Sequence, residues 1–217
     1  ETVFGLHDNA HEKSSCGVGF ITRKDGVQTH KLLEKGHEAL CSVPHRGGMS
    51  AEGVGDGAGV SVDLSIEFFQ KITHTDLKAG QFGVGNFFMP NRQEQRDKAC
   101  QLIASSLADS GLKILAERDI AVDNEVLRSA AIDLQLPITQ WIFLAPEGIS
   151  GVKFEKLIYS VLLAIESQAY TDVDLDGLYP LSMSSQMQVL KGRLNSNEII
   201  PYFKDLNDPR HSVNTLY

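Results

Sequence analysis

Short apolar runs with strand character alternate along this sequence with segments of helical periodicity. Residues 82–89 and 138–145 are apolar runs that contain aromatic residues, a composition that favours strands. The strongest helical pattern comes after them, with apolar side chains three and four positions apart: Phe154, Leu157, Ile158, Val161, Leu162 and Ile165. A chain that mixes strands and helices in this way folds as an α+β or α/β domain.

The first half of the chain contains three further predicted elements. Residues 16–23 are predicted to form a strand, and a helix is predicted from Thr29 to Pro44, where the proline ends it. A second helix is predicted to begin with Asn91 as its N-cap and to end at Gly111.

The second half contains a short predicted helix around residues 126–131. Residues 178–183 and 187–190 are predicted to be the two strands of a hairpin whose turn is residues 184–186. A last short helix over 197–203 is predicted to precede a polar, unstructured end. There is no internal repeat and no linker, so the sequence predicts one domain.

Composition excludes several classes of function. The 217 residues carry a formal net charge of −8 without a basic run, which argues against nucleic acid as a partner. The sequence has no apolar run long enough for a membrane span and no signal peptide. The three cysteines form no disulfide framework and no metal-ligand spacing, which fits a reducing compartment and predicts a cytoplasmic protein.

Cys16 is the candidate nucleophile. It lies beside Gly17 and leads directly into the first predicted strand, which would hold the thiol in place. If the bond between Ser15 and Cys16 is cut, the new α-amine can act as general base for the thiol. The alternative is a buried structural cysteine, since free cysteines are among the most buried residues.

Residues 44–59 hold six of the chain's 19 glycines, which implies positive φ angles or a close approach of the backbone to another group. Within them, Arg46 either clamps a carboxylate or pins the loop, and its residue type leaves both open. Asp56, between two glycines, is predicted to make local turn hydrogen bonds. The Gly-x-Gly-x-x-Ala spacing at 53–58 is rejected as a dinucleotide fingerprint, because no helix is predicted after it.

No metal site is predicted. His7 and His11 are four residues apart but lack a third ligand nearby. The segment from Asp172 to Gly177 begins like a calcium-binding loop, yet its twelfth position is Met183 instead of glutamate. It is therefore interpreted as an acidic turn.

Four motifs, in this order, resemble those of the glutaminase domain of glutamate synthases, which are class II (N-terminal nucleophile) glutamine amidotransferases. They are Cys-Gly-Val-Gly-Phe at 16–20, His-Arg-Gly at 45–47, Gly-Asp-Gly-Ala-Gly at 55–59, and Ser-Ser followed by Lys-Gly within 184–192. The resemblance extends from about residue 5 to the end of the chain.

The resemblance implies hydrolysis of the glutamine side-chain amide, with release of ammonia for glutamate synthesis from 2-oxoglutarate. Cys16 would be the nucleophile, with its α-amine as base after removal of residues 1–15 as a leader, and Arg46 would lie beside it. The implied fold is the four-layer αββα sandwich of N-terminal nucleophile hydrolases.

The resemblance also implies that residues 16–217 are the front part of such a domain. The family's Arg-Phe-Ser-Thr-Asn-Thr segment and the Asn-Gly pair that stabilises the oxyanion do not occur in this sequence. This chain, with its leader attached, is therefore expected to be inactive. FMN and an iron–sulfur cluster would belong to partner domains or subunits. The alternative is a non-catalytic module that senses glutamine or docks onto a glutamate synthase-like complex.

Overall fold

A computed structural model of the protein describes residues 17–43 and 50–217. The strands are β1 (Ile21–Thr22), β2 (Ala58–Asp63), β3 (Phe82–Phe88), β4 (Lys113–Asp119), β5 (Ile138–Leu144), β6 (Tyr179–Ser184), β7 (Met187–Gly192) and β8 (Thr215–Leu216). The α-helices are α1 (His30–Cys41), α2 (Ile66–Thr73), α3 (Gln93–Asp109), α4 (Ser129–Ile132), α5 (Gly151–Thr171) and α6 (Ile199–Tyr202). Short 3₁₀ helices cover Asn124–Val126, Val173–Leu175 and Lys204–Asn207.

The strands form two antiparallel sheets of four strands each. Sheet 1 has the order β1-β8-β2-β7, and sheet 2 has the order β4-β5-β3-β6. In sheet 1, β1 and β2 both run antiparallel to β8, which lies between them, so they run in the same direction. Strand β2 begins at the end of sheet 1 where the antiparallel strand β7 finishes, whereas β1 lies level with the last residues of β2, because Ile21 and Val62 both align with Leu216. We call the end of the sheet where β2 begins the entry end.

Helices α3 and α5 pack on one face of sheet 2. Successive side chains of a strand point to opposite faces, so alternate residues of β3 and β5 contact these helices. The resulting core holds Phe87, Trp141 and Phe143 from the strands, and Ile103, Leu107, Phe154, Ile158, Val161 and Ile165 from the helices. The apolar pattern that predicted α5 is thus the face that it buries.

Sheet 1 packs against α1 and α6 in a second core. Its members include Val60, Val62, Leu190 and Leu216 from the strands, and Leu32, Leu33, Ile199 and Ile200 from the helices. Gly36 of α1 allows a close approach, because a Cβ there would lie 2.5 Å from a methyl carbon of Leu216. Ile120 and Ile138, at the margin of sheet 2, belong to the same core and join the two sheets.

A buried polar network also joins the sheets. Gln140 of β5 donates to Asn86 of β3 at 2.9 Å and to Gln188 of β7 at 3.0 Å. The Gln140 side-chain oxygen accepts from Arg118 at 2.7 Å, and Arg118 forms an ion pair with Asp205. Since unpaired polar groups are costly when buried, this network favours one position of sheet 2 relative to sheet 1.

The predicted hairpin of residues 178–190 is wrong in its pairing. Both strands and the turn exist, but β6 belongs to sheet 2 and pairs with β3, whereas β7 belongs to sheet 1 and pairs with β2. Strand β7 aligns with all six residues of β2, and this long-range pairing replaces the local one. The turn therefore carries the chain from one sheet to the other.

Three smaller predictions also fail. The chain end is not unstructured, because β8 pairs with both β1 and β2. The predicted strand of residues 16–23 pairs only at Ile21 and Thr22 within the described residues. Helix α3 has Arg92 and not Asn91 at its N-cap position.

The mixed α+β class is confirmed, and the four-layer arrangement stays a prediction. Throughout the ranges that the structure describes, no helix combines the length and the apolar character needed to cross a membrane.

Candidate active site

The predicted site residues Cys16 and Arg46 both lie outside the described residues, and so do residues 1–15. The structure describes residues 17–20, directly after Cys16, and residues 50–57, which begin four positions after Arg46. These two segments are the described parts of the chain that follow the candidate site residues in sequence.

The two segments precede strands that run in the same direction in sheet 1. Residues 50–57 lead into β2 at the entry end, whereas residues 17–20 lead into β1 at the level of Val62, near the other end of β2. Residues 17–20 are exposed, with Val18 94% and Phe20 69% accessible, and the Phe20 ring lies 6.1 Å from that of Tyr217. The topology thus places on either side of β8 two strands that start 37 residues apart in the sequence (58 − 21 = 37).

The segment 50–57 begins with a tight turn. The Ser50 amide donates to the Val54 carbonyl at 2.8 Å, and the Ser50 hydroxyl oxygen accepts from the Val54 amide at 3.2 Å. The Gly53 amide donates to the Ser50 carbonyl at 2.9 Å. Val54 is buried, so the turn is attached to the core that underlies sheet 1.

Two side chains from elsewhere in the chain hold this turn in place. The Asn195 side-chain amide donates to the Gly53 carbonyl at 3.3 Å, and a guanidinium nitrogen of Arg128 lies 3.4 Å from the Glu52 carbonyl. Sequence reasoning missed both residues. Neither lies in a motif, and only the tertiary fold brings them to the glycine segment.

The glycines of this segment serve the two purposes that the sequence predicted. Gly53 and Gly57 have φ angles of 79° and 147°, which side chains rarely adopt. Gly55 allows close backbone packing, because a Cβ there would lie 2.2 Å from the carbonyl oxygen of Leu194. The segment continues into β2 and not into a helix, so the rejection of a dinucleotide fingerprint is confirmed. Asp56 is exposed.

The Ser184-Ser185 turn, part of the family resemblance, is bound by a carboxylate from α5. Glu155 accepts from the Ser184 hydroxyl at 2.6 Å, from the Ser185 hydroxyl at 2.5 Å and from the Ser185 amide at 2.9 Å. Because the turn precedes β7, it lies at the opposite end of that strand from the entry end. This motif therefore fixes the crossing between the sheets. The role of Glu155 was missed, although an acidic residue beside the buried face of α5 was a signal.

The other two cysteines have settings that differ from each other. Burial, reinforced by a hydrogen bond with Glu117, raises the pKa of the Cys100 thiol to about 12, so it is protonated near neutral pH. Its predicted place on the apolar face of α3 is confirmed. Cys41 is exposed at the end of α1, with its sulfur 3.6 Å from a ring nitrogen of His37.

The acidic turn that resembles a calcium loop is occupied by a lysine. Lys98 forms ion pairs with Asp172 at 2.8 Å and Asp174 at 2.9 Å, and it lowers the pKa of Asp172. Asp172 also accepts from the Asp174 amide at 3.0 Å. Within residues 17–43 and 50–217, no three His, Cys, Asp or Glu side chains are grouped so that they could hold a metal ion.

A cavity of about 240 Å³ lies beside the entry end, where Lys191 of β7 forms part of its lining together with Gln135 and Tyr202. Gln135 bonds through its side chain to both backbone groups of Arg193, at 2.9 and 3.2 Å, just after β7. Burial raises the pKa of Tyr202. The entry end is therefore supported by side chains from both sheets and from α6.

The chain belongs to the class-II glutamine amidotransferases, because residues 16–216 match that family. The family match begins at Cys16, the residue that follows the predicted leader.

Glutamate synthases are among its curated relatives. The chain is 30% identical to glutamate synthase [NADH] of Saccharomyces cerevisiae over 215 residues, which are 94% of this chain and 10% of that protein. It is 28% identical to the glutamate synthase [NADPH] large chain of Azospirillum brasilense, covering 96% of this chain and 14% of the relative. It is 30% identical to ferredoxin-dependent glutamate synthase 2 of Synechocystis, covering 94% of this chain and 13% of the relative. The chain thus spans only 10 to 14% of the length of these relatives.

Proposed function

We propose that this chain is the front part of a glutaminase domain that releases ammonia from glutamine through Cys16. The observation that carries the proposal is the family match, which covers residues 16–216 and starts at the candidate nucleophile. The course of the chain in sheet 1 adds support, because the strand after Cys16 and the strand after Arg46 run in the same direction on either side of β8.

In the proposed reaction, the Cys16 sulfur attacks the side-chain amide carbon of glutamine. The α-amine of Cys16 takes the thiol proton and gives it to the leaving nitrogen. The C–N bond breaks, so that ammonia leaves and a γ-glutamyl thioester remains. Water then attacks the thioester, giving glutamate and the free thiol. The α-amine exists only when the bond between Ser15 and Cys16 has been cut, so residues 1–15 are proposed to be a removable leader.

Arg46 is proposed to bind the carboxylate of the substrate with its planar guanidinium. The described part of the glycine segment supports this role. Ser50, Gly53 and Val54 form a fixed turn, which Asn195 and Arg128 hold from outside. A rigid loop can place a guanidinium in a defined position, whereas a mobile loop could not.

The ammonia is proposed to serve glutamate synthesis from 2-oxoglutarate in a neighbouring domain or subunit that carries FMN and an iron–sulfur cluster. The three cysteines of this chain, at positions 16, 41 and 100, have no metal-ligand spacing, so the cluster is proposed to lie in that neighbouring domain or subunit. The two antiparallel sheets, with helices packed on sheet 2 and sheet 1, are compatible with the proposed αββα sandwich.

The test compares two forms of the parent enzyme that contains this domain. One form starts at Cys16, and the other keeps residues 1–15 through a bond that cannot be cleaved. Without a free α-amine, the thiol relies on its own pKa of about 8.5, so only a few per cent of it is thiolate at pH 7. We therefore expect ammonia release from the first form only.

Equal ammonia release from both forms would show that the α-amine is not the base. If neither form releases ammonia but glutamine still binds, the glutamine-sensing module is the correct function. Mass spectrometry of the natural protein gives an independent readout, because a chain that begins at Cys16 is expected for the enzyme.

A further inference from the structure

Helix α5 has a second apolar stripe that faces away from the domain. Its buried face packs on sheet 2 through Phe154, Ile158, Val161 and Ile165. On the opposite side, four large side chains are accessible: Val152 at 69%, Tyr159 at 60%, Leu163 at 45% and Tyr170 at 92%. Large exposed apolar groups that share one helix face indicate an interaction surface.

The spacing of this stripe is that of a coiled-coil seam. With Lys156 and Glu166 included, its positions are separated by four, three, four, three and four residues: Val152, Lys156, Tyr159, Leu163, Glu166 and Tyr170. Alternating steps of three and four keep a seam on one side of a helix, where it can pack against a partner helix. We call these six positions the outer stripe. It extends over most of α5, a helix about 31 Å long.

The outer stripe is complementary to itself when two copies of α5 run antiparallel. Each position in one copy then faces a position in the other copy, and we call each facing pair a layer. The two residue numbers in a layer add to 322. Val152 faces Tyr170 of the second copy, Tyr159 faces Leu163, and Lys156 faces Glu166. Two-fold symmetry produces every layer twice, which is the property of an isologous dimer interface.

The charges in the stripe select the antiparallel partner. Lys156 and Glu166 are both exposed, and neither forms an ion pair with any residue in the described part of the chain. In a parallel pair each would face its own copy, Lys against Lys and Glu against Glu. In the antiparallel pair each lysine meets a glutamate, twice per dimer. We propose that the outer stripe of α5 is a dimerisation surface whose partner is a second copy of this chain.

The experiment measures self-association of the 217-residue chain by sedimentation equilibrium from low-micromolar to submillimolar concentration. The expected result is a reversible rise of the average mass towards twice that of the chain. Lys156→Glu places glutamate against Glu166 in two layers, and Glu166→Lys places lysine against Lys156. Each variant alone is expected to weaken the association constant by about tenfold or more.

Mixing the two variants provides the decisive measurement. In a heterodimer, one chain has glutamate at both positions and the other has lysine at both, so attraction returns in both charged layers. The mixture is expected to regain the association that each variant loses alone. Lys31→Glu is the matched control, because Lys31 is an exposed helical lysine on α1, and its variant is expected to associate like the unaltered chain.

If the unaltered chain stays monomeric throughout the concentration range, the proposal is overturned. The outer stripe would then be covered by a partner other than a second copy of this chain. Single variants that associate as strongly as the unaltered chain, or a mixture that associates no more strongly than either variant alone, would also overturn it. Since Lys156 and Glu166 are exposed, circular dichroism should show the same thermal unfolding for the variants and for the unaltered chain.

Discussion

His211 is predicted to make the stability of this domain depend on pH. The side chain is fully buried, its ring stacks on Phe68 with centroids 4.5 Å apart, and one ring nitrogen bonds to the Asp205 carbonyl at 2.9 Å. Burial lowers the pKa of His211 to about 4 from its usual 6.5, against weaker opposing effects of Asp205. Nearby Arg118 and His30 lower the pKa further.

The direction of the effect follows from which state binds the proton. Between pH 6.5 and pH 4 the unfolded chain binds a proton at His211, whereas the folded protein does not. The stabilisation is therefore fully present above pH 6.5 and is lost as the pH falls towards 4. A difference of two to three pKa units corresponds to about 3 kcal/mol in the free energy of unfolding at pH 4.

The assay is urea unfolding at a series of pH values from 7.5 to 4, for the unaltered chain and for His211→Phe. Phenylalanine keeps an aromatic ring on Phe68 but cannot titrate. The variant also loses the bond to Asp205, which costs about 1–3 kcal/mol at every pH. The expected result is that the unaltered chain loses about 3 kcal/mol more than the variant between pH 7.5 and pH 4.

His74→Asn is the matched control for this experiment. His74 is exposed and has a φ of 50°, a conformation that asparagine adopts well, so its replacement should leave the pH profile unchanged. If the unaltered chain and His211→Phe lose stability in parallel as the pH falls, His211 is not the buried neutral group inferred here.

Two further predictions concern the proposed active site and require the mature parent enzyme. Arg46→Lys should lower kcat/KM for glutamine by about tenfold or more with unchanged thermal unfolding, because lysine lacks the planar fork of arginine; normal kinetics would reduce Arg46 to a loop anchor. A diazo-ketone analogue of glutamine should label Cys16, and peptide mapping should find Cys41 and Cys100 unlabelled. Cys100, with its pKa raised to about 12, is the internal control, and a label on it would contradict the assignment of the nucleophile.

The sequence by itself determined the features that depend on local periodicity. Helix α5 was predicted because burying one face requires apolar residues three and four apart, and the same periodicity exposes a second stripe on its other side. Strands β3 and β5 were predicted from continuous apolar runs because each is buried on both faces. The positive φ angles in the glycine segment were predicted because only glycine adopts them readily.

Only the tertiary structure decided which strands pair and which side chains meet. The turn at residues 184–186 is short enough for a hairpin, yet β7 pairs with β2, more than 120 residues earlier in the chain. The two residues of β8 are too few for any pattern, and they form a strand because β1 and β2 present free edges to them. Glu155 reaches the two serines, and Asn195 reaches Gly53, across 30 and 142 residues of sequence. Such contacts depend on the closing of long loops around a common core, and no local pattern records them.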